Sequence, residues 1–173
     1  MKVLLSAEKI QKRIAELGAQ LSKDYSHASR ANPVVIVGIL KGSFVFLADL
    51  IRHINVPLEV EFIEVTSYGA GTVSSGRVEM KRDLGTSVAG RDVILVEDII
   101  DTGTTMDFLF DHFRTRQPKS LKLCSFLHKP SRQEKPVKID YLGFTIDDHF
   151  VVGYGLDFDK QYRELKDLVI LKE

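Results

Sequence analysis

The feature that most constrains the fold is a series of short apolar segments separated by stretches with helical spacing. The apolar segments are rich in Val, Ile and Leu, and we expect strands at residues 33–40, 58–65, 92–96, 121–127 and 139–146. Most of them are apolar almost continuously, which is typical of parallel strands covered on both faces. The pattern therefore predicts an α/β fold whose ligands bind beyond the carboxyl ends of the strands.

Helical patterns occur before the first strand and between later ones. Ser6 can cap a first helix whose apolar face consists of Ile10, Ile14, Leu17 and Leu21. The segments FVFLADLIRHI (44–54) and MDFLFDHFR (106–114) also have helical spacing. Strands that alternate with helices indicate βαβ units and a mainly parallel sheet.

Composition excludes several other kinds of protein. With 173 residues, 44% of them hydrophobic and 28% charged, we expect one globular domain and not a disordered chain. The 24 basic and 24 acidic residues balance, which argues against a broad electrostatic surface for nucleic acid or an anionic membrane.

The single cysteine and the first residues bear on the compartment. Cys124 lies in the apolar run LKLCSF, so we expect a small buried side chain and no disulfide within the chain. The apolar part of MKVLLSAEKI is too short for a signal peptide, and no apolar stretch is long enough to span a bilayer. These observations favour a cytoplasmic protein.

One segment fits neither strands nor helices. Of the eight residues GAGTVSSG at 69–76, five are Gly or Ser, a composition too polar and flexible for packing. An ordinary surface loop and a mobile lid over a site are equally compatible with this sequence.

The most informative segment is DVILVEDIIDTGTTMDFLF, residues 92–110. We expect its strand to end before three carboxylates, and a helix to begin after TGTT; the carboxylates are Glu97, Asp98 and Asp101. The turn between them consists of Thr102, Gly103, Thr104 and Thr105. Its glycine permits a tight turn, and its amides and hydroxyls can converge on a phosphate monoester at the helix N-terminus. Carboxylates beside that anion would face sugar hydroxyls or a Mg²⁺ ion, so the residues predict a sugar-phosphate site.

Other interpretations of these residues stay open. Asp101 and Thr102 are also favoured helix caps, and that role alone would explain their presence. The sequence has no Walker motif and no G-x-G-x-x-G after a strand, so P-loop and dinucleotide-binding interpretations are weak. The histidines have no metal-ligand spacing; they are His27, His53, His112, His128 and His149.

The segment VEDIIDTGTT resembles the phosphoribosyl-diphosphate-binding signature of the purine phosphoribosyltransferases, specifically the hypoxanthine-guanine branch. Further similar segments follow the family's order: GILKGSFVFLADL, VTSYG, FLHKPSR and FVVGYGLDFDKQYREL. The resemblance implies one domain over residues 1–173 with a type I phosphoribosyltransferase fold, a twisted and mainly parallel sheet flanked by helices. It also implies a small hood over the carboxyl ends of the strands, formed by the N-terminal segment and the C-terminal third, and a flexible loop at about 67–80.

The resemblance further implies an enzyme of purine salvage. Such an enzyme joins hypoxanthine, guanine or both to 5-phosphoribosyl 1-diphosphate, and releases pyrophosphate and IMP or GMP. Asp101 resembles the general base that exchanges a proton with purine N7. The phosphoribosyl group would be held by Glu97, Asp98, Thr102, Gly103, Thr104 and Thr105. Pyrophosphate would contact Lys41, Gly42, Ser67, Tyr68 and Arg163, with a cis peptide in the turn at Lys41.

The resemblance assigns the remaining roles to the last third of the chain and to Mg²⁺. Lys129 would donate to purine O6, Phe150 would stack on the ring, and Val151 and Asp157 would lie near the base edge. The Mg²⁺ environment would comprise Glu97, Asp98 and Asp157. Taken alone, Lys129 is typical of an exposed turn, Phe150 of a core strand and Arg163 of a surface charge. Relatives are commonly dimers or tetramers, so a homodimer or homotetramer is expected.

Two alternative functions follow from the same residues. A xanthine-preferring relative would share all of these motifs. A regulator that keeps the phosphoribosyl diphosphate loop but binds nucleic acid is disfavoured by the zero net charge and by the presence of both Asp101 and Lys129. We therefore expect substrates but neither nucleic acid nor a membrane as partners.

Overall fold

The computed structural model describes residues 1–68 and 77–172. Its elements, in chain order, are β1 (Lys2–Leu5), α1 (Ala7–Asp24), β2 (Val34–Leu40), α2 (Phe44–Ile51), β3 (Leu58–Tyr68), β4 (Arg77–Arg82), β5 (Asp92–Ile100), α3 (Thr104–Arg114), β6 (Ser120–His128), a 3₁₀ turn (Pro130–Arg132), β7 (Tyr141–Thr145), β8 (Phe150–Val152) and β9 (Leu168–Lys172).

The larger sheet has the strand order β4-β3-β2-β5-β6-β7 in the described residues. Its pairs are parallel except that β4 is antiparallel to β3. Along β2, Val34 and Ile36 pack in one apolar cluster with α1 and α2, whereas Val35 and Val37 pack in a second cluster with α3. Both faces are therefore buried, which confirms the predicted α/β fold and explains why its inner strands are continuously apolar.

The first helix begins and packs as its sequence predicts. The Ser6 hydroxyl accepts from the Lys9 amide at 3.3 Å, the bond expected of an N-cap. The predicted apolar face is buried against the sheet; its members are Ile10, Ile14, Leu17 and Leu21. Cys124 is also fully buried, and burial raises the pKa of its thiol, which agrees with the predicted role of a small apolar side chain.

A smaller sheet joins the two ends of the chain. Its order is β1-β9-β8 among the described residues, and both pairs are antiparallel. These strands come from the N-terminal segment and the C-terminal third, the parts expected to form a hood; the division into hood and core stays a prediction. No helix in the described ranges is long and apolar enough to cross a membrane.

Two element boundaries differ from those expected from the sequence. The strand expected at 92–96 continues to Ile100, because its pairing with β6 extends to Ile100 opposite His128. Glu97 and Asp98 therefore belong to the strand and do not follow it, which corrects the sequence analysis. Of the loop expected at about 67–80, residues 69–76 lie outside the described ranges. Ser67 and Tyr68 end β3, and residues 77–80 belong to β4.

Candidate functional site

The carboxyl ends of the parallel strands lie side by side and carry most of the predicted site residues. Lys41 follows β2, Asp101 follows β5 and Lys129 follows β6. In the sheet β2 is next to β5, and β5 is next to β6. Residues far apart in the chain therefore meet at one edge of the sheet, where open α/β sheets bind ligands.

Two adjacent acids lie near the end of β5, of which Glu97 is buried and Asp98 is half-buried. Glu97 is 7% exposed, and its Oε1 accepts from the Asp98 amide at 2.9 Å. Burial, reinforced by the neighbouring Asp98 carboxylate, raises the pKa of Glu97 well above its usual value. Burial also raises the pKa of Asp98, although a hydrogen bond with Glu97 and the charge of Arg163 oppose it. The pair therefore favours a shared proton unless a cation or ligand stabilises both charges.

The turn after β2 brings its backbone against Asp98. The peptide between Leu40 and Lys41 is cis, as expected from the resemblance. The turn is fixed by the fully buried Ser43, whose hydroxyl donates to the Ile39 carbonyl at 2.7 Å. A Cβ atom on Gly42 would lie 1.6 Å from Asp98 Oδ2, so only glycine allows this approach. The side chain of Lys41 is exposed.

The C-terminal loop adds a cation on the same side. Arg163 Nη1 donates to the Gly155 carbonyl at 2.6 Å, and its Nη2 lies 2.9 Å from Asp157 Oδ1. Gly155 in turn approaches the turn after β2, because a Cβ there would lie 2.5 Å from the Gly42 carbonyl. The structure thus brings Arg163, Asp157, Gly42 and Asp98 into one neighbourhood.

The TGTT turn forms the N-terminus of α3. Gly103 is the N-cap residue, with a φ of 88° that favours glycine. It also lies against the segment after the 3₁₀ turn, since a Cβ atom there would be 2.6 Å from the Lys135 carbonyl. Neither Asp101 nor Thr102 is the N-cap, so the interpretation of Asp101 as a cap is wrong. The Thr102 hydroxyl instead accepts weakly from the Thr104 amide at 3.4 Å.

The turn and the acids line a common cavity. Its lining residues are Glu97, Ile99, Ile100, Asp101, Thr102, Gly103, Thr105 and Met106. Helix N-termini leave amide groups without intrahelical partners, which makes them donors for an anion. The cavity therefore combines such donors with carboxylates, the chemistry inferred for a sugar phosphate.

Lys129 differs from the exposed turn lysine that its sequence alone suggests. The residue is 8% exposed, and its amide donates to the Ile100 carbonyl at 2.9 Å. Its ammonium nitrogen lies 3.8 Å from Asp148 Oδ1. Arg132 forms ion pairs with two aspartates. Its Nε is 3.0 Å from Asp101 Oδ1, and its Nη1 is 3.7 Å from Asp148 Oδ2.

The remaining predicted residues lie on the small sheet and at the sheet edge. Phe150 is 48% exposed, not core, and its ring meets that of Phe158 edge-on with centroids 5.4 Å apart. Val151 is buried in β8. Ser67 and Tyr68 end β3, and in the described ranges Ser67 makes no hydrogen bond or ion pair with another predicted site residue.

Arg132, Asp148 and Phe158 were not predicted from the sequence as site residues. Arg132 was within the segment FLHKPSR, and Asp148 follows the last strand of the larger sheet, so both were visible as polar residues after strands. Their pairing depends on the neighbouring positions of β5, β6 and β7, which residue spacing does not reveal. Phe158 had no signal beyond being an aromatic residue near Asp157.

Comparison with known proteins agrees with these features. Residues 2–159 match the phosphoribosyl transferase domain. The chain is 49% identical over 171 residues to the hypoxanthine-guanine phosphoribosyltransferase of Bacillus subtilis, covering 99% of this chain and 93% of that protein. It is 46% identical to the hypoxanthine phosphoribosyltransferase of Haemophilus influenzae, covering 94% and 90%. The structure is similar to that of the Trypanosoma cruzi hypoxanthine phosphoribosyl transferase, with a TM-score of 0.93, 43% identity and coverage of 99% and 91%.

Proposed function

The chain belongs to the phosphoribosyl transferase family, and from this premise we propose that it is a purine-salvage enzyme, a pentosyltransferase. It joins hypoxanthine, guanine or both to 5-phosphoribosyl 1-diphosphate, and it releases pyrophosphate with IMP or GMP. The observation that carries the proposal is the cavity in which the TGTT turn lies beside Glu97 and Asp101. An anion site next to carboxylates matches a ligand that has both a phosphate and sugar hydroxyls.

The reaction requires the phosphoribosyl group to be held while its bond to pyrophosphate breaks. The 5′-phosphate is held by the turn Thr102, Gly103, Thr104 and Thr105; Thr102, Gly103 and Thr105 line the cavity together with Glu97 and Asp101. Glu97 and Asp98 face the ribose hydroxyls. Negative charge develops on the departing pyrophosphate, so cationic groups nearby stabilise the transition state. Arg163 and Lys41 supply that charge, and the Gly42 backbone of the same neighbourhood lies against Asp98.

We assign the purine to Asp101 and to residues after β6 and on β8, and in nucleotide formation its N7 proton passes to Asp101. Asp101 exchanges a proton with purine N7, since its carboxylate follows β5 and lies at the cavity wall. Lys129 donates to O6, and its burial makes that donor selective. Phe150 presents an exposed ring for stacking, and Val151 contributes backbone groups beside it. Ser67 and Tyr68, the last residues of β3, are the further residues that we assign to the pyrophosphate.

Mg²⁺ is the proposed cofactor, and the donor set of the site fits it. Mg²⁺ prefers oxygen ligands and binds through one or two carboxylates together with substrate phosphates. The adjacent carboxylates of the buried Glu97 and the half-buried Asp98 offer oxygen ligands of this kind. The described ranges contain no group of three or more His, Cys, Asp or Glu residues that could hold an ion. We propose that Glu97 and Asp98 would hold the metal together with the diphosphate substrate, with Asp157, the ion-pair partner of Arg163, as a further ligand.

A direct assay tests this function. Purified protein is incubated with 5-phosphoribosyl 1-diphosphate, Mg²⁺ and one of hypoxanthine, guanine, xanthine or adenine, and nucleotide and pyrophosphate are measured. We expect turnover with hypoxanthine, guanine or both, none with adenine, and loss of turnover in excess chelator that Mg²⁺ restores. Turnover mainly with xanthine would support the xanthine-preferring alternative, and absence of nucleotide from every base would contradict the proposal.

We also propose an oligomeric state and a cellular location for the enzyme. A groove of about 570 Å³ beside α1 and α2 is lined mainly by apolar surface and includes Phe44, which is 44% exposed. We propose that a second copy of the chain covers it in a homodimer or homotetramer; sedimentation of the wild type and of Phe44→Glu tests this. The buried, unpaired Cys124 is consistent with a cytoplasmic location, which fractionation of the source cells would test.

A further inference from the structure

Four charged side chains connect the proposed general base with the lysine proposed to recognise the purine. From the base, the chain of ion pairs runs Asp101, Arg132, Asp148, Lys129. Its nitrogen–oxygen distances are 3.0 Å, 3.7 Å and 3.8 Å in that order. We refer to these four residues as the edge network.

The fold explains why these residues meet. Asp101 follows β5, Lys129 follows β6 and Asp148 follows β7, and these three strands are neighbours in the sheet. The 3₁₀ turn Pro130–Arg132 then returns the chain toward β5. The next residues are fixed by the Thr102 carbonyl, which accepts from the Glu134 and Lys135 amides at 2.9 and 3.0 Å. Arg132 is therefore held between the ends of the strands by its own backbone.

The network is poorly explained as a stabilising feature. The side chains of Arg132, Asp148 and Asp101 are 40%, 51% and 41% exposed, and ion pairs with such exposure contribute little to stability. Lys129 is the exception, because its side chain is 10% exposed and a buried ammonium requires a partner. The pairs are thus better suited to holding side chains in place than to holding the fold together.

The positions of N7 and O6 in a purine indicate a function for the edge network. N7 and O6 of a 6-oxopurine lie on the same edge of the base, close enough for one arginine to bridge both. The proposed function assigns Asp101 to N7 and Lys129 to O6. A carboxylate and an ammonium must therefore be held at a fixed separation without pairing with each other directly. Arg132 and Asp148 stand between them with the charges that prevent such a collapse.

The contact with Arg132 also selects which oxygen of Asp101 is available. Oδ1 is shielded from solvent and lies 3.0 Å from Arg132 Nε as an ion pair without an aligned hydrogen bond, whereas the side chain as a whole is 41% exposed. Oδ2 is then the oxygen left to exchange a proton with the base. We propose, on the basis of the proposed function, that Arg132 and Asp148 are positioning residues. They set the spacing and orientation of Asp101 and Lys129 for the N7 and O6 edge of the purine.

The experiment compares Arg132→Gln, Arg132→Lys and Asp148→Asn with the wild type. Arg114→Gln is the matched control, because Arg114 forms an exposed ion pair with Asp111 at the far end of α3. Steady-state constants are measured separately for hypoxanthine and for 5-phosphoribosyl 1-diphosphate, together with thermal midpoints. We expect Arg132→Gln to lower kcat/KM for hypoxanthine by roughly 10- to 100-fold, the scale of a misplaced catalytic group. The KM for the diphosphate and the thermal midpoint should match the control.

Conservative and double variants separate positioning from a structural role. Arg132→Lys keeps the charge but loses the planar fork that reaches two carboxylates, so it should recover only part of the loss. In an Asp101→Asn background, Arg132→Gln should have little further effect on kcat, because it acts through Asp101. Likewise, the effect of Asp148→Asn on the KM for hypoxanthine should disappear in a Lys129→Gln background.

The possible outcomes distinguish the two proposals. If the wild type forms no nucleotide, the proposed function fails and this inference fails with it. If the wild type is active but both network variants match Arg114→Gln, the function stands and the positioning role is overturned. A uniform loss in both KM values that parallels a lowered thermal midpoint, with additive double variants, would also overturn it by indicating a structural role.

Discussion

Asp92 and Glu97 lie toward opposite ends of β5, and each is 7% exposed. Asp92, at the amino end, accepts from the Ser120 hydroxyl and lies 2.8 Å from His27 Nε2 and 3.8 Å from Lys119 Nζ. Burial alone would raise the pKa of Asp92, but these partners outweigh it and lower the pKa below its usual value. Glu97 has another acid, Asp98, as its neighbour, and its pKa is raised.

Asp92 and Glu97 differ in the groups that surround their carboxylates. At the amino end of β5, partners within the protein balance the charge of Asp92. Its lowered pKa means that this acid stays ionised without a ligand. Toward the carboxyl end, the buried Glu97 has the half-buried acid Asp98 beside it, so a bound cation or substrate would stabilise their charges. An unpaired buried acid costs stability, and such a cost is expected where binding or catalysis requires it.

Two lysines at the ends of β6 show a similar contrast for positive charges. Lys119 precedes this strand and Lys129 follows it, and each ammonium nitrogen lies 3.8 Å from an aspartate oxygen. The side chain of Lys119 is 56% exposed, whereas that of Lys129 is 10% exposed. The two lysines therefore differ in solvation although their ion-pair distances are equal. Water solvates the ammonium group of Lys119, whereas that of Lys129 is buried in the proposed purine site.

The largest expected effect is at Asp101. If the carboxyl end of the sheet is the catalytic end, Asp101→Asn should lower kcat by roughly 10²- to 10⁴-fold, because the amide cannot exchange the purine proton. Asp92→Asn, at the amino end, should leave kcat within about twofold. Nucleotide formation from hypoxanthine measures both variants. Near-normal turnover in Asp101→Asn would remove the functional distinction between the two ends.

The second effect concerns the two lysines. An ammonium only donates hydrogen bonds, so Lys129 suits the 6-oxo group and opposes the 6-amino group of adenine. Lys129→Gln introduces an amide that both donates and accepts, and should narrow the ratio of kcat/KM for hypoxanthine over adenine by roughly 10- to 100-fold. Lys119→Gln should leave the ratio unchanged. An equal loss for both bases in Lys129→Gln would mean that this residue does not discriminate between them.

How much of this could be predicted from the sequence depends on whether the signal is local. The five apolar strands and the first helix follow from apolar spacing, and the turn that begins α3 follows from the neighbouring residues TGTT. β4 was not predicted, because its sequence RVEMKR is charged and it forms the antiparallel edge of the sheet. β1 and β9 were missed because each is short and gains a partner only when the two chain ends meet.

The site shows the same limit. The order of motifs predicted roles for the acids, the turn and Lys129, but it gave no indication that Lys129 is buried or that Arg132 forms an ion pair with Asp101. Those facts come from the adjacency of β5, β6 and β7, a property of the assembled sheet. Local sequence therefore predicts which groups are present, whereas the sheet order determines which of them touch.

The third effect is on stability at the amino end. Asp92→Asn removes the charge that pairs with His27 and Lys119 and leaves their donors partly unsatisfied. We expect the free energy of unfolding to fall by about 1–3 kcal/mol, measured by urea denaturation at neutral pH. Exposed Asp111→Asn, whose partner is Arg114, should change it by about 0.5 kcal/mol or less. Equal losses would mean that burial at Asp92 adds nothing to its ion pairs.

The smallest effect is a pH dependence of opposite sign at the two ends of β5. The pKa of Asp92 is lowered on folding, so its contribution is present above the unfolded pKa and is lost as pH falls through the folded pKa. The pKa of Glu97 is raised, so the folded protein keeps a proton that the unfolded chain releases. The free energy of unfolding therefore falls as pH rises above the usual glutamate pKa of 4.5 toward the folded value.

Glu97→Gln isolates the contribution of Glu97 to the pH dependence of the free energy of unfolding. Glutamine cannot titrate, and its carbonyl can still accept from the Asp98 amide, so the variant removes the penalty without removing the bond. In chelator, the variant should match the wild type near pH 4 and become more stable toward pH 8, by on the order of 1 kcal/mol or about 2–4 °C in Tm. Glu79→Gln, on an exposed edge strand, is the control and should follow the wild type throughout. Thermal unfolding from pH 4 to pH 8 measures all three proteins. Parallel curves for Glu97→Gln and the wild type would mean that Glu97 is as well compensated as Asp92, and the contrast between the two ends of β5 would be lost.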